Sequence, residues 1–346
     1  MTTTPAPRSL LVLGGTAWLG RTVASVATAR GHDVTCLARG EAGPPADGVQ
    51  LVRADRREDG AYDEVAGRDW DAVLDVSWQP DLVRSALAAL GPRAGSWLYV
   101  SSCSVYSDDR TPDTDESAPV HEPWAGTGTA TVEDYGPAKV ACEQAVLEAV
   151  GPERALLARA GLIGGRGDGS DRFGYWPARV ARMQSEGEVL LAPPMDLAVS
   201  VIDVEDLATW LVDAAEQGVA GTFNALGDAV PFEQVLHACV QASGHEPVAA
   251  ETSDAWLAEQ GVEPWAGPES LPLWIPREEY GGFASRSNAA AKSAGLRLRP
   301  LAETTAAALA WERELGLERE RRAGLSRDRE LALLTALLGV DADATS

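Results

Sequence analysis

Two side chains four residues apart form the clearest chemical pair in the sequence. Tyr135 and Lys139 enclose the short segment Gly136-Pro137-Ala138, and residues four apart lie on one face of a helix. A lysine close to a tyrosine favours the phenolate and lowers the pKa of the phenol. Such a tyrosine exchanges a proton with a substrate oxygen near neutral pH. The chain's only other lysine is Lys292, so we interpret Tyr135 and Lys139 as a catalytic pair.

Hydroxyl groups end an apolar run elsewhere in the chain. Ser101, Ser102 and Ser104 follow the apolar segment 97–100, with Cys103 between them. Taken alone, these serines are typical of a strand end. Next to a tyrosine–lysine pair, one of them is able to hydrogen-bond the carbonyl or alcohol oxygen of a substrate.

A glycine-rich turn lies near the start of the chain. It follows the apolar run 9–13 and leads into a helical pattern, the context in which backbone N–H groups and a helix N-terminus hold a pyrophosphate. The alternative is a tight strand–helix turn that binds nothing. We assign the whole turn to cofactor binding: Gly14, Gly15, Thr16, Ala17, Trp18, Leu19 and Gly20.

Charged residues after the next two strands indicate which dinucleotide binds. Arg39 ends the second strand, where a carboxylate would select NAD and an arginine pairs with the 2′-phosphate of NADP. Asp55 follows the third strand and is predicted to flank the adenine, with Arg56 and Arg57 adding positive charge. Each of these residues also suits an ordinary protein surface. We therefore favour NADP (NADPH) over NAD.

Strands and helices alternate through the first half of the chain. Short apolar runs predict strands at 9–13, 34–37, 49–52, 72–76, 97–101 and 155–158, with helices at about 81–90 and 136–150. This order predicts an α/β protein, a Rossmann-type doubly wound parallel sheet with a smaller C-terminal substrate-binding lobe. We assign 1–165 to an NADP-binding Rossmann domain to which 196–226 returns. The substrate-binding lobe takes 166–195 and 227–346.

Two long irregular segments, 107–134 and 164–176, follow strand ends, where ligands bind in open parallel sheets. Tryptophans at 124, 176, 265 and 274 suit an apolar pocket or the core of the smaller lobe. The residues predicted to contact substrate are Cys103, Ser104, Arg172, Tyr175 and Trp176.

Composition narrows the possible partners. The formal net charge of −23 argues against binding to nucleic acid or to an anionic membrane. Four well-separated cysteines indicate neither a metal site nor a disulfide framework. No apolar segment reaches the ~20 residues that span a bilayer. We expect a cytoplasmic monomer or homodimer acting on a small carbonyl or alcohol compound.

Four segments together resemble the extended short-chain dehydrogenase/reductase family, also called the NAD-dependent epimerase/dehydratase family. They are the glycine turn 13–20, the strand end 100–106, the segment 135–139 and the segment 202–208. The resemblance spans about two-thirds of the chain. It implies Ser102 as the catalytic serine, Tyr135 as the acid/base and Lys139 as the residue that holds the nicotinamide ribose.

The same resemblance implies further cofactor contacts. Gly14, Ala17 and Gly20 take the places of three family glycines, and Ala17 is a departure at the middle one. The segment 159–163 is similar to the family's stretch beside the nicotinamide, although Ala160 replaces a proline. These matches complete the predicted cofactor site, which also includes Val76, Ser77, Ser101, Gly161, Leu162 and Ile163.

Membership of this family does not define the reaction. Cys103 and Ser104 stand where a dehydratase of the family carries acids, so dehydration lacks its general acid and base. Our first expectation is an NADPH-dependent carbonyl reductase in which Tyr135 donates the proton. The alternatives are a nucleotide-sugar epimerase with bound NAD(P) and a non-catalytic NADP-binding regulator, although such regulators lack the tyrosine–lysine pair.

Overall fold

The computed structural model describes residues 6–183, 185 and 187–339. The strands of these residues are β1 (Ser9–Leu13), β2 (Asp33–Ala38), β3 (Gln50–Arg53), β4 (Trp70–Asp75), β5 (Ala94–Ser102), β6 (Ala155–Ala160), β7 (Leu162–Gly164), β8 (Val189–Ala192), β9 (Ala198–Asp203), β10 (Gly221–Ala225), β11 (Ala229–Pro231), β12 (Val248–Glu251), β13 (Glu263–Trp265) and β14 (Ser270–Pro272). The helices are α1 (Trp18–Ala29), α2 (Pro80–Leu90), α3 (Tyr135–Val150), α4 (Arg172–Ala181), α5 (Val204–Gln217), α6 (Phe232–Ser243), α7 (Asp254–Glu259), α8 (Arg277–Tyr280), α9 (Ala289–Ser293), α10 (Leu301–Leu315) and α11 (Arg327–Leu338).

Seven strands form the main sheet in the order β10-β6-β5-β4-β1-β2-β3. All of their pairings are parallel. The chain builds outward from β1 to β2 and β3, then crosses to β4 on the other side of β1. The gap between β1 and β4 is therefore the point where the strand order reverses, and ligands bind there in sheets of this kind.

Both faces of the sheet are covered, which explains the continuous apolar strands. Leu10 and Val12 pack with α1 and α5 on one face, whereas Leu11 and Leu13 pack with the α2 and α3 side of the other. Successive side chains of a strand point to opposite faces, so a strand buried on both faces needs apolar residues at every position. The predicted α/β Rossmann-type fold is confirmed.

The smaller lobe has its own apolar core, and it corrects two of the predicted substrate contacts. Tyr175 and Trp176 lie on α4 and are 3% and 0% exposed. Trp176 packs edge-on against Phe232 and donates its indole N–H to the carbonyl of Pro272 at 2.9 Å. Burial of these large rings stabilises the lobe. They fill its core and do not face a substrate pocket.

A buried ion pair joins α3, β6 and the long segment 107–134. Arg159 on β6 donates two hydrogen bonds to the carboxylate of Glu143 on α3, at 3.0 and 2.8 Å. The same guanidinium donates to the hydroxyl of Tyr106 at 3.0 Å and to the carbonyl of Glu116 at 3.3 Å. The pair therefore orders the loop that lies beside the N-terminus of α3.

Removing one partner of this pair should destabilise the protein strongly. Arg159→Met leaves the Glu143 carboxylate buried without its cation, so we expect urea denaturation to show a loss of about 3–5 kcal/mol in the free energy of unfolding. The control is Arg93→Met, which breaks an exposed pair with Asp69 and should cost about 1 kcal/mol or less. Equal losses in the two variants would contradict this role for the buried pair.

Candidate active site

The three predicted catalytic residues come from the end of one strand and the start of one helix. Ser102 ends β5, and Tyr135 and Lys139 occupy the first two turns of α3. The hydroxyl of Ser102 accepts a hydrogen bond from the backbone N–H of Ser104 at 3.1 Å, and the two serine hydroxyls are 3.2 Å apart. The side chain of Ser102 also acts on Tyr135, whose pKa it lowers. The site thus places two hydroxyl groups where one substrate oxygen can meet both.

The pKa of Tyr135 differs from the sequence-based expectation. Burial raises it above its usual value, and the hydrogen bond with Ser102 and the charge of Arg172 act in the opposite direction. We had expected Lys139 to lower this pKa. Its ammonium nitrogen lies 6.0 Å from the centre of the Tyr135 ring, and its hydrogen bonds go to backbone carbonyls instead. The tyrosine is therefore protonated at neutral pH and ready to donate.

Lys139 is held by the ends of two neighbouring strands. Its Nζ donates to the carbonyl of Val100 at 2.7 Å and to that of Ser77 at 3.2 Å, and it lies 4.8 Å from the centre of the Tyr99 ring. Burial lowers the pKa of Lys139 to about 8, because a buried ammonium loses its hydration. This lysine is positioned at the carboxyl ends of β4 and β5, next to the point where the strand order reverses.

Asp75 is a site residue that the sequence analysis missed. Its two carboxylate oxygens accept hydrogen bonds from Arg56 at 2.8 and 2.7 Å, and one also accepts from the N–H of Ser77 at 2.9 Å. Asp75 is fully buried. Arg56 also lines the cleft beside the glycine turn. Its guanidinium pairs with Asp75, so it is not positioned to bind a cofactor phosphate. A carboxylate that is buried needs a cation or hydrogen-bond donors, and the position of Asp75 at the end of an apolar strand was the signal in the sequence.

The expected dinucleotide site is a cleft of about 830 Å³. It extends from the glycine turn across the ends of β1, β2 and β4. The predicted cofactor residues that line it are Gly14, Thr16, Ala17, Arg39, Asp55, Arg56, Val76 and Ser77. Ser101 is buried nearby on β5, and its hydroxyl has no hydrogen-bond partner within the described part of the chain.

The glycine turn has the shape that a pyrophosphate needs. Gly14 has φ +92°, and a Cβ there would come within 2.8 Å of Val76. A Cβ on Gly20 would lie 2.5 Å from the carbonyl oxygen of Gly14, so the helix approaches the turn closely. These residues fit a dinucleotide cofactor. Ala17 replaces the middle glycine at an exposed position with φ −82°, which any residue adopts.

Four residues of the predicted turn do not line the cleft. Gly15 lies against Cys36 underneath the turn, and Gly20 lies behind Gly14. Leu19 packs on the apolar core between the sheet and the helices α1 and α5. The indole N–H of Trp18 donates to the carbonyl of Arg166 at 2.8 Å, which ties the turn to the loop before α4. These residues support the turn by packing.

Two arginines stand at the far end of the cleft. Arg39 lies 3.0 Å from the exposed carboxylate of Glu41, and Arg57 pairs with Asp55 at 2.5 Å. Arg57 lowers the pKa of Asp55 to about 2, with a smaller contribution from Arg39. Both guanidinium groups remain at least half exposed, so they are accessible to an anionic group of the cofactor.

The substrate side of the site includes one more arginine. The guanidinium of Arg172 lies 4.9 Å from the centre of the Trp265 ring and donates to the hydroxyl of Ser170 at 3.3 Å. Burial lowers the pKa of Arg172, and its charge acts on Tyr135. An arginine in this setting attracts an anion.

The remaining predicted residues lie around the end of β5. Cys103, Gly161 and Leu162 line a cavity of about 20 Å³, and the hydroxyl of Ser104 faces that of Ser102. Ile163 instead packs on the core of the α1 and α5 side.

Trp78 and Gln79 are further neighbours of the site that the sequence did not single out. The centres of the Trp78 and Tyr135 rings are 5.4 Å apart. The side-chain amide of Gln79 accepts from the N–H of Ala130 at 2.9 Å and donates to its carbonyl at 3.1 Å. These contacts hold the segment 107–134 beside Tyr135.

A parallel sheet, a glycine turn and a serine–tyrosine–lysine group are typical of Rossmann-type nucleotide-binding oxidoreductases. Residues 79–225 match the model of the NAD dependent epimerase/dehydratase family. This match agrees with the family resemblance that the sequence motifs predicted. None of the helices in the described residues is long and apolar enough to cross a membrane.

Individual proteins are similar to this chain in sequence or in fold. Over 310 residues the chain is 24% identical to a dTDP-6-deoxy-L-talose 4-dehydrogenase (NAD(P)(+)) of Kitasatospora kifunensis, covering 82% of this chain and 92% of the relative. A proposed epimerase of Burkholderia cenocepacia has a similar fold (TM-score 0.66, 24% identity, 90% and 100% coverage). So does Bordetella bronchiseptica WbmG, solved with NAD and UDP (TM-score 0.65, 14% identity, 90% and 97% coverage).

The burial of the Lys139 ammonium predicts how the stability of the protein depends on pH. The folded pKa of Lys139, about 8, lies below its ordinary value of 10.5, so between these pH values the unfolded chain binds more protons. The parent protein should therefore gain about 3 kcal/mol of stability relative to a Lys139→Met variant as the pH rises from 8 to 10.5. Urea denaturation across this range measures the difference.

The control is Lys292→Met, which removes the exposed lysine paired with Asp228. Its stability difference from the parent should change by less than about 1 kcal/mol over the same pH range. A flat difference for Lys139→Met would contradict the burial of a charged lysine.

Proposed function

We propose that this protein is an NAD(P)-dependent enzyme that acts on the sugar of a nucleotide sugar, by oxidation or reduction at a hydroxyl-bearing carbon. The observation that carries the proposal is Arg172, which lies over the Trp265 ring and whose positive charge acts on Tyr135. A simple carbonyl compound needs no such cation. A sugar linked to a diphosphate presents both the oxygen and the anion.

Each residue has a definite role in this reaction. Tyr135 exchanges a proton with the sugar oxygen, and Ser102 hydrogen-bonds the same oxygen. Lys139 donates to the carbonyls of Val100 and Ser77 and keeps its charge close to the nicotinamide end of the cleft. Arg172 binds the diphosphate. A nicotinamide cofactor held in the cleft would supply or accept the hydride.

The epimerase alternative is supported better than the simple carbonyl reductase that the sequence first suggested. The relatives above include a nucleotide-sugar dehydrogenase and a structure that holds NAD and UDP. Dehydration is less well supported, because Cys103 and Ser104 provide no carboxylate next to Ser102. An epimerase returns the hydride to the same carbon, whereas a dehydrogenase releases reduced cofactor.

Replacing the catalytic tyrosine tests the mechanism. Tyr135→Phe removes only the hydroxyl, so we expect kcat/KM for the responsive nucleotide sugar to fall by roughly 10²- to 10⁴-fold. The assay incubates a panel of UDP- and dTDP-hexoses with NAD(H) and NADP(H), following absorbance at 340 nm and sugar configuration by NMR. Tyr280→Phe, at a half-exposed tyrosine of α8, is the matched control and should keep full activity. Full activity in Tyr135→Phe would reject the mechanism.

We propose that NADP is preferred over NAD, because Arg39 lines the cleft at the end of β2. Arg39→Ala should weaken binding of NADPH by roughly 10- to 100-fold and change that of NADH by less than about twofold. Titration of tryptophan fluorescence measures both affinities. Arg93→Ala, at an exposed arginine just before the amino end of β5, should leave both affinities unchanged. An equal loss for NADH and NADPH would show that Arg39 does not read the 2′-phosphate.

A further inference from the structure

The long segment between β5 and α3 contributes to the cofactor cleft. Gly128 and Thr129 of this segment line the cleft together with the glycine turn. The backbone from 125 to 129 is irregular, and all five of these residues are exposed. We call residues 125–129 the outer wall of the cleft, because a dinucleotide held there would have this stretch between itself and the solvent.

The two ends of the outer wall are anchored at the starts of different helices. At one end, the backbone N–H of Trp124 donates to the carbonyl of Pro137, in the first turn of α3, at 2.9 Å. A Cβ on Gly126 would collide with the indole of Trp124, so the wall folds closely over this ring. At the other end, Ala130 is 2% exposed, and its backbone is bound by the side chain of Gln79, the residue before α2.

The anchor at Ala130 is the side-chain amide of Gln79. This amide accepts from the N–H of Ala130 at 2.9 Å and donates to its carbonyl at 3.1 Å, so it pairs with both backbone groups as a neighbouring strand would. A buried peptide group that loses its partners must be hydrated or bear the cost of staying dry. Without the Gln79 amide, water has to reach Ala130, and that end of the wall has to open.

Gln79 is itself held by the polar network of the site. Its backbone N–H donates to the hydroxyl of Ser77 at 3.3 Å, and the carbonyl of Ser77 accepts from Lys139. The carbonyl of Gln79 accepts the N–H of Val83 in the first turn of α2 at 3.1 Å. The Gln79 side chain makes no capping hydrogen bond to this helix. Its amide is therefore free to bind Ala130 from a fixed backbone.

We propose that Gln79 is a positioning residue that holds the outer wall against the cofactor cleft and so retains the bound dinucleotide. The inference rests on the proposed function for the cofactor alone, since it makes no use of the sugar substrate. The wall contacts the dinucleotide only after it has entered the cleft. Loss of the anchor therefore acts mainly on the dissociation rate constant.

Replacing the amide tests this role. Gln79→Met keeps the length of the side chain and removes both hydrogen bonds, so we expect NADPH to dissociate roughly 10-fold faster, with an association rate constant within about threefold of the parent value. Displacement of NADPH by excess NADP, and of NADH by excess NAD, in a stopped-flow fluorimeter measures the release. Gln241→Met, at an exposed position of α6, is the matched control and should release both cofactors at the parent rate.

Hydrogen–deuterium exchange without cofactor separates this role from a direct contact, because Gln79 also lines the cleft. The peptide that contains Ala130 should exchange roughly 10-fold faster in Gln79→Met than in the parent. Peptides from β1 should exchange at the parent rate. Faster release of NADPH with unchanged exchange at Ala130 would show that Gln79 contacts the cofactor directly and would overturn the inference.

Thr129→Gly is a second variant, which leaves Gln79 unchanged and removes a wall side chain that lines the cleft. Release of NADPH from it should be roughly 3- to 10-fold faster than from the parent. If circular dichroism shows that Gln79→Met does not fold, Thr129→Gly decides the question. Release at the parent rate from the deciding variant would overturn the inference and leave the proposed function intact. A parent protein that binds neither NADPH nor NADH would overturn both.

Discussion

The buried ammonium of Lys139 is the constraint on which the rest of the site depends. A charge in this position loses its hydration, and the carbonyls of Val100 and Ser77 replace only part of it. Both carbonyls must therefore stay in place. Val100 is held by its position in β5, in the middle of the sheet. Ser77 lies beyond the end of β4, where a strand ladder no longer determines the backbone.

The ion pair between Arg56 and Asp75 holds the backbone in place beyond the end of β4. Asp75 accepts the N–H of Ser77 and so fixes the turn that presents the Ser77 carbonyl to Lys139. The Arg56–Asp75 ion pair thus orients the Ser77 carbonyl, which is a hydrogen-bond partner of the buried Lys139 ammonium. Such pairs contribute little net stability, but they define one arrangement of the chain. Asp75, Arg56, Ser77 and Lys139 thus form one polar network that links the cleft to the candidate catalytic group.

The overall charge of the protein makes local cations important. With a formal net charge of −23, the molecule repels its anionic ligands at long range. Arg39 and Arg57 line one end of the cleft, and Arg172 acts on Tyr135, so each places positive charge where an anionic group would be attracted. Other arginines that the sequence offered are used for structure. Arg159 and Arg179 are both buried in ion pairs with glutamates.

The sequence alone determined the class of the fold, the glycine turn and the tyrosine–lysine spacing. These depend on local features: apolar runs, turn residues and a four-residue helical repeat. The partners of a side chain come from distant segments. Only the tertiary structure therefore showed that Arg56 forms an ion pair with Asp75 and that Tyr175 and Trp176 pack in the core of the smaller lobe. It also reversed the expected shift of the Tyr135 pKa, because the burial of a side chain depends on everything packed around it. For the same reason the sequence did not predict the cavity beside Cys103, because the residues that line it come from several segments between 103 and 284.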